Sequence, residues 1–111
     1  MTRVLTGLAA VGAILVAAAA PSAAPPAPRR HVVEIRGMAF HPAVLTVERG
    51  DTVEWINRDI VPHTATAAAG PAWTTGALVQ GRSGRHLAGE PGEQRYFCEL
   101  HPTMEGRLVV R

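Results

Sequence analysis

Cys98, His101 and Met104 stand at i, i+3 and i+6 in the run Cys98-Glu99-Leu100-His101-Pro102-Thr103-Met104. A thiolate, an imidazole and a thioether on one short stretch form a set of metal donors. A second imidazole, His63 in Val61-Pro62-His63-Thr64, lies far enough upstream for a strand to leave and for the chain to return beside it. Two imidazoles and a thiolate, with a weak axial thioether, suit copper that must pass between Cu(I) and Cu(II). Sulfur favours the first state and imidazole serves both. The chemistry to expect is the gain and loss of one electron.

The spacing has local consequences. For all three side chains to point at one centre the segment must curl. Pro102 assists by fixing its own φ and keeping His101 out of the helical basin. Gly106, just past Met104, is expected to permit a sharp return into the final strand. Cys98 is the chain's single cysteine, so it has no partner for an intramolecular disulfide. An unpaired thiol in an oxidising compartment is vulnerable unless a metal holds it or the fold buries it as an inert side chain. Zinc held by His63, Cys98 and His101 is chemically open as well, with Met104 a poor fourth ligand.

At these residues the chain resembles the cupredoxins, the small blue (type 1) copper proteins, and most closely their amicyanin and plastocyanin branch. Cys98 to Met104 has the family's Cys-x2-His-x2-Met loop, with proline after the histidine. Gly50-Asp51-Thr52-Val53-Glu54-Trp55-Ile56-Asn57 followed by Pro62-His63-Thr64 is similar to its strand leading into the first histidine, and Met38 to Pro42 with Leu45 to Val47 fit the preceding segment. The likeness runs from about residue 32 to the end. It implies one copper ion held by His63, Cys98, His101 and Met104, and a backbone N–H near Thr64 donating to the cysteine sulfur. It also implies that the His101 ring edge is the electron's exit, framed by Leu100, Pro102 and Thr103. Larger redox proteins of the dehydrogenase or cytochrome c type would dock near Leu100, His101 and Pro102. Glu99 departs from the family, which often has a small polar residue directly after the cysteine, and Thr103 is less apolar than the usual patch.

The elements that must position these residues read as strands. His31, Val33 and Ile35 alternate with Val32, Glu34 and Arg36; Leu45 and Val47 with Thr46 and Glu48; Val53, Trp55 and Asn57 with Thr52, Glu54 and Ile56. A period of two marks half-buried strands. Ser83 to Leu87, Gln94 to Cys98 and Arg107 to Arg111 supply three more, the last two separated by the donor loop. Ala67 to Gly81 is small and unpatterned and reads as a long connection that Trp73 pins to the domain. Short strands with turn signals and no helical stripe predict an all-β, two-sheet Greek-key sandwich. Trp55 belongs in its core. Met38 is expected to pack in the core or to line the metal end, and Phe97 to pack or to offer a second contact. His31, His41 and His86 have no second donor at useful spacing.

The 111 residues allow one domain. Residues 1–24 read as a signal peptide: Arg3, then an apolar run from Val4 to Ala20, with cleavage after Ala19, Ala20, Ser22 or Ala24, or retention as an anchor. Residues 25–30 are a Pro, Ala and Arg linker, and 31–111 the copper-binding domain. The expected location is periplasmic or otherwise outside the cytoplasm, with membrane contact only if the leader is kept. Eleven arginines and no lysine face nine acids for a net charge of +2. That balance and the lack of a basic run argue against nucleic acid and against strong electrostatic steering, and a monomer is expected. Two functions follow. One is a mononuclear copper protein shuttling single electrons between redox partners; the other is an exported Cu(I) carrier or buffer. A multicopper enzyme would need more donor sets than the chain supplies.

Overall fold

The computed structural model describes residues 1–19 and 26–111. The candidate cleavage points Ala20, Ser22 and Ala24, and Pro25 of the linker, lie outside the described residues. No helix among the described residues is long and apolar enough to cross a membrane.

Among the described residues eight strands follow in order: β1 (Arg30–Arg36), β2 (Ala39–His41), β3 (Val44–Val47), β4 (Thr52–Asn57), β5 (Thr66–Ala67), β6 (Ser83–Leu87), β7 (Gly92–Cys98) and β8 (His101–Val110). They form two four-stranded sheets, β2-β1-β4-β6 and β3-β8-β7-β5. The β1/β4 and β3/β8 pairs are parallel, and the others antiparallel. The chain crosses between sheets after β2, β3, β4, β5 and β6, so the fold is the expected all-β sandwich with two mixed sheets.

The period of two decides which faces meet. Val33, Ile35, Val47, Val53, Trp55, Leu108 and Val110 are buried between the sheets, while their sequence neighbours mostly turn outward. Each large buried side chain contributes about 1.5–3 kcal/mol by leaving water, so a one-residue slip of β1 would turn Val33 and Ile35 outward, and one of β4 would do the same to Val53 and Trp55. An aromatic group fills the centre. Tyr96 meets Phe40 edge-on at 4.7 Å and Trp55 at 5.3 Å, and Trp73 stacks between Trp55 at 5.4 Å and His86 at 4.2 Å. Trp73 thus pins the long connection as expected, through direct stacking on the core. On the outer face Glu54 is buried even though its position in the strand alternation points to solvent. It is covered by Arg30 at 3.4 Å and Arg85 at 2.6 Å, across β1 and β6.

Three expectations change. β5 and β2 are too short to carry a readable period, and β5 lies at the start of the segment read as an unstructured connection. Met38 is exposed, because Gly37 and Met38 both take positive φ, 58° and 60°, in the two-residue turn joining β1 to β2. That is the backbone of a type I′ hairpin. Gly106 makes no turn. It sits inside β8 opposite Tyr96, and a Cβ there would fall within the Tyr96 ring at Cζ and the hydroxyl.

At the end where β1 and β4 begin, Asp51 organises the backbone. Its carboxylate accepts from the N–H groups of Arg29 (2.9 Å) and Glu48 (3.0 Å) and pairs with His31 Nε2 at 2.9 Å. The Arg29 N–H, the His31 ring and the Glu48 N–H together lower its pKa from 3.8 to about 2 against the opposing effect of burial. A lowered carboxyl pKa adds stability that is complete above about pH 4 and is lost as pH falls towards about 2. Asp51→Asn is therefore expected to be less stable at neutral pH and to show a flatter stability profile between those limits, as measured by urea unfolding at stepped pH. Gly106→Ala should cost about 2 kcal/mol or more through overpacking, lowering Tm by roughly 10 °C in a domain of this size. An unchanged melting curve would show that Tyr96 can move aside.

Candidate metal centre

Cys98 is the last residue of β7 and His101 the first of β8, and the two are paired across the turn Glu99-Leu100. The donor segment is therefore mostly strand, although the sequence pattern suggested a free loop. Along the hairpin the register is regular as far as Phe97↔Glu105 and then jumps to Cys98↔His101. Pro102, Thr103 and Met104 are left without partners, a bulge of three residues. Its effect is geometric. In an unbroken strand, residues three apart point to opposite faces, but the bulge lets His101 stay near Cys98 while Met104 also turns inward. Beyond the bulge the ladder resumes with Gly106, Leu108 and Val110 inward. Met104 is 5% exposed and belongs to the same buried cluster as Cys98.

His63 comes from the connection between β4 and β5. Asn57, the last residue of β4, is wholly buried and ties that connection down. Its Nδ2 donates to the carbonyls of Val61 (2.9 Å) and Leu78 (2.8 Å), and its Oδ1 accepts the Asp59 N–H (2.9 Å). His63 and Leu78 exchange both backbone hydrogen bonds, at 3.1 and 2.7 Å. The His63 ring is fully buried, and its Nε2 lies 2.8 Å from Asp59 Oδ2. Asp59 also accepts the N–H groups of Gly37 (2.7 Å) and Met38 (2.9 Å), so the hairpin turn grips the carboxylate that grips the ring. Burial pushes the Asp59 carboxyl up, but the Met38 N–H, the His63 ring and the Gly37 N–H outweigh it and leave the pKa below the ordinary value. A carboxylate only accepts, so His63 Nε2 carries the hydrogen and Nδ1 is bare in the neutral ring.

The bare nitrogen faces Cys98. His63 Nδ1 and His101 Nδ1 each lie 3.7 Å from Cys98 Sγ, and the three donor atoms are within 4.8 Å of one another. A cation held between them would engage all three donor atoms at once. Bonds of about 2.0–2.3 Å to nitrogen and sulfur would separate neighbouring donors by about 3.5–3.8 Å at tetrahedral to trigonal angles. Both nitrogen–sulfur distances fit that range. The Thr64 N–H donates to Cys98 Sγ at 3.3 Å, in accord with the expectation for that backbone group, and the Glu99 N–H donates to Thr64 Oγ1 at 2.9 Å.

Residues 29–111 match the model of a family described as copper binding proteins, plastocyanin/azurin family. The chain belongs to that family. Among curated proteins it is similar to amicyanin from Paracoccus denitrificans, 35% identical over 96% of this chain and 88% of that protein. Among solved structures it resembles a Cu(I) amicyanin with a methionine-to-glutamine substitution, with a TM-score of 0.70, 32% identity and coverage of 74% of this chain and 82% of that one. It also resembles a copper-containing nitrite reductase from Thermus scotoductus, with a TM-score of 0.68, 32% identity, 85% of this chain and 25% of that one. This cupredoxin is thus of the blue copper, electron-carrying kind, and its histidine, cysteine and methionine cluster fits a type 1 site.

The structure brings His63, Cys98 and His101 together and buries Met104 in the cluster that holds Cys98. It keeps the other histidines apart: His31 pairs with Asp51, His41 faces the Arg36 carbonyl at 3.1 Å, and His86 stacks on Trp73. Phe97 is half-buried on the opposite face of β7 from Cys98. Sequence reasoning missed Asp59 and the Thr64 hydroxyl. A carboxylate four residues before a candidate histidine was the only cue to the first, and the second has no sequence signature. In the metal-free protein at neutral pH, His63 is expected as the Nε2–H tautomer, read from its ring nitrogen shifts, and Asp59→Ala should give a mixture of tautomers. A dominant Nδ1–H form in the unaltered protein would contradict the geometry.

Proposed function

We propose that this cupredoxin would hold one copper ion through His63, Cys98 and His101, with Met104 as a fourth, weaker ligand, and that it shuttles single electrons between larger redox proteins outside the cytoplasm. The observation that carries the reading is the pair of Nδ1 atoms 3.7 Å from one buried cysteine sulfur. Bound copper would supply the electron-accepting and electron-donating centre, and everything else falls to the chain.

Cys98 and His63 are fully buried and Met104 nearly so, which excludes water and leaves no open position for a substrate. A catalytic metal keeps such a position, so the burial supports a carrier over an enzyme. His101 is only half-buried and is followed by exposed Pro102 and preceded by Leu100 at 49% exposure. Its ring edge is the route for the electron, and the surrounding apolar surface is suited to brief docking. Asp59 holds the His63 ring and Thr64 holds the sulfur, so neither ligand needs to move when the charge changes. Residues 1–24 act as the export signal and 25–28 as the linker, since Arg29 and Arg30 are already tied to the domain by Asp51 and by β1, and the working domain is a monomer. The partners would be a dehydrogenase or a c-type cytochrome that contacts Leu100, His101 and Pro102.

Absorption spectroscopy of the Cu(II)-loaded protein tests this. An intense visible thiolate-to-copper band is expected, bleached by ascorbate and restored by oxidant at constant copper content, and absent in Cys98→Ser. A colourless oxidised protein would overturn the type 1 assignment, and loss of copper on reduction would favour a Cu(I) carrier.

A further inference from the structure

Thr64 contacts Cys98 and the residue after it. Its buried backbone N–H donates to Cys98 Sγ at 3.3 Å, and its hydroxyl oxygen accepts the Glu99 N–H at 2.9 Å. One residue therefore fixes the sulfur and the peptide that follows it. This happens where the β7–β8 register shifts, between the pairs Phe97↔Glu105 and Cys98↔His101, leaving Pro102, Thr103 and Met104 without partners.

The hydroxyl proton of a buried threonine needs an acceptor of its own. The oxygen in reach is Thr66 Oγ1, at 3.0 Å, and Thr66 Oγ1 lies 2.8 Å from Thr74 Oγ1. Thr74 Oγ1 in turn accepts the Gly76 N–H at 3.1 Å and is exposed, so its proton can go to water. With protons running from Thr64 to Thr66 to Thr74, every hydroxyl is satisfied. An oxygen that donates is also polarised into a better acceptor, which strengthens its hold on the Glu99 N–H. The middle member is itself anchored: Thr66 pairs with Phe97, next to Cys98, and forms a bridge with Thr74.

We propose that Thr64 is a positioning residue for the copper thiolate, its hydroxyl braced through Thr66 by Thr74 in the long connection, so that this chain of three hydroxyls steadies Cys98 and Glu99 beside the break in the β7–β8 register. The inference rests on the reading of Cys98 as a copper ligand. Its consequence is a sulfur that stays in place when the copper charge changes, which keeps electron transfer fast.

The test uses Thr64→Val, Thr64→Ser and Thr66→Val in the Cu(I) and metal-free proteins. Amide hydrogen exchange at Glu99, followed by NMR, should accelerate by at least about fivefold in Thr64→Val, the size of one ordinary hydrogen bond. It should return to the original rate in Thr64→Ser and rise to an intermediate value in Thr66→Val. In the copper form, Thr64→Val should shift the visible band and slow electron self-exchange several-fold, and Thr64→Ser should restore both. A fall in Tm with the band, the exchange rate and Glu99 protection all unchanged would make Thr64 a purely structural residue and overturn the proposal. Should Thr64→Val not fold, Thr66→Val decides, because unchanged Glu99 exchange there removes the brace. If the unaltered protein shows no thiolate band, the copper reading fails instead, a result that the Glu99 exchange data in the metal-free protein cannot mimic.

Discussion

Electron-pair donors sealed from water are expensive unless a cation or a hydrogen donor answers them. Cys98 is sealed in this way, with two imidazole nitrogens 3.7 Å from its sulfur and the Thr64 N–H donating to it. Much of the architecture follows from having to deliver those groups to one point from parts of the chain that are distant in sequence. β7 and β8 bring the cysteine and His101 as a hairpin. β4 brings His63 at its far end, and the two sheets must pack in the correct register for these ends to meet. The buried face that sets that register also sets the donor separation.

The two ends of the sandwich are built on the same device, a carboxylate that gathers backbone N–H groups and one imidazole. Asp51 does this where β1 and β4 start, joining Arg29, Glu48 and His31. Asp59 does it where they finish, joining Gly37, Met38 and His63. The first closes the fold and the second aims a donor ring. Between them the aromatic group of Trp55, Tyr96, Trp73 and Phe40 fills the interior, and Gly106 gives Tyr96 the room it occupies.

The longer strands were legible because a half-buried strand writes its period into the residues, as Val33 and Ile35 or Val53 and Trp55 do. The short strands were not, since Thr66–Ala67 and Ala39–His41 hold too few residues to have a period. The donor types at Cys98, His101 and Met104 were plain from spacing and chemistry. Their seating was not: the sequence suggested a curled loop where the molecule has a paired strand with a bulge, because register depends on the partner strand. Met38 read as core or as lining the metal end; it is exposed in a tight turn whose positive φ follows from the hairpin length, and its N–H reaches that end by bonding Asp59. Gly106 read as a turn from its type, and only the position of the Tyr96 ring across the hairpin reveals that space is what it supplies. Asp59 and the hydroxyl of Thr64 act through contacts with residues remote in sequence, for which the chain alone offers no pattern.

The unpaired run Pro102-Thr103-Met104 also separates two kinds of constraint. Residues before it answer to the buried sulfur, and residues after it, from Glu105 onward, answer to the sheet through pairs such as Tyr96↔Gly106 and Gln94↔Leu108. Because the bulge belongs to neither ladder, a residue could be inserted or removed there while both flanking registers keep their alignment. The hairpin can therefore change the reach of its last donor, Met104, independently of its core.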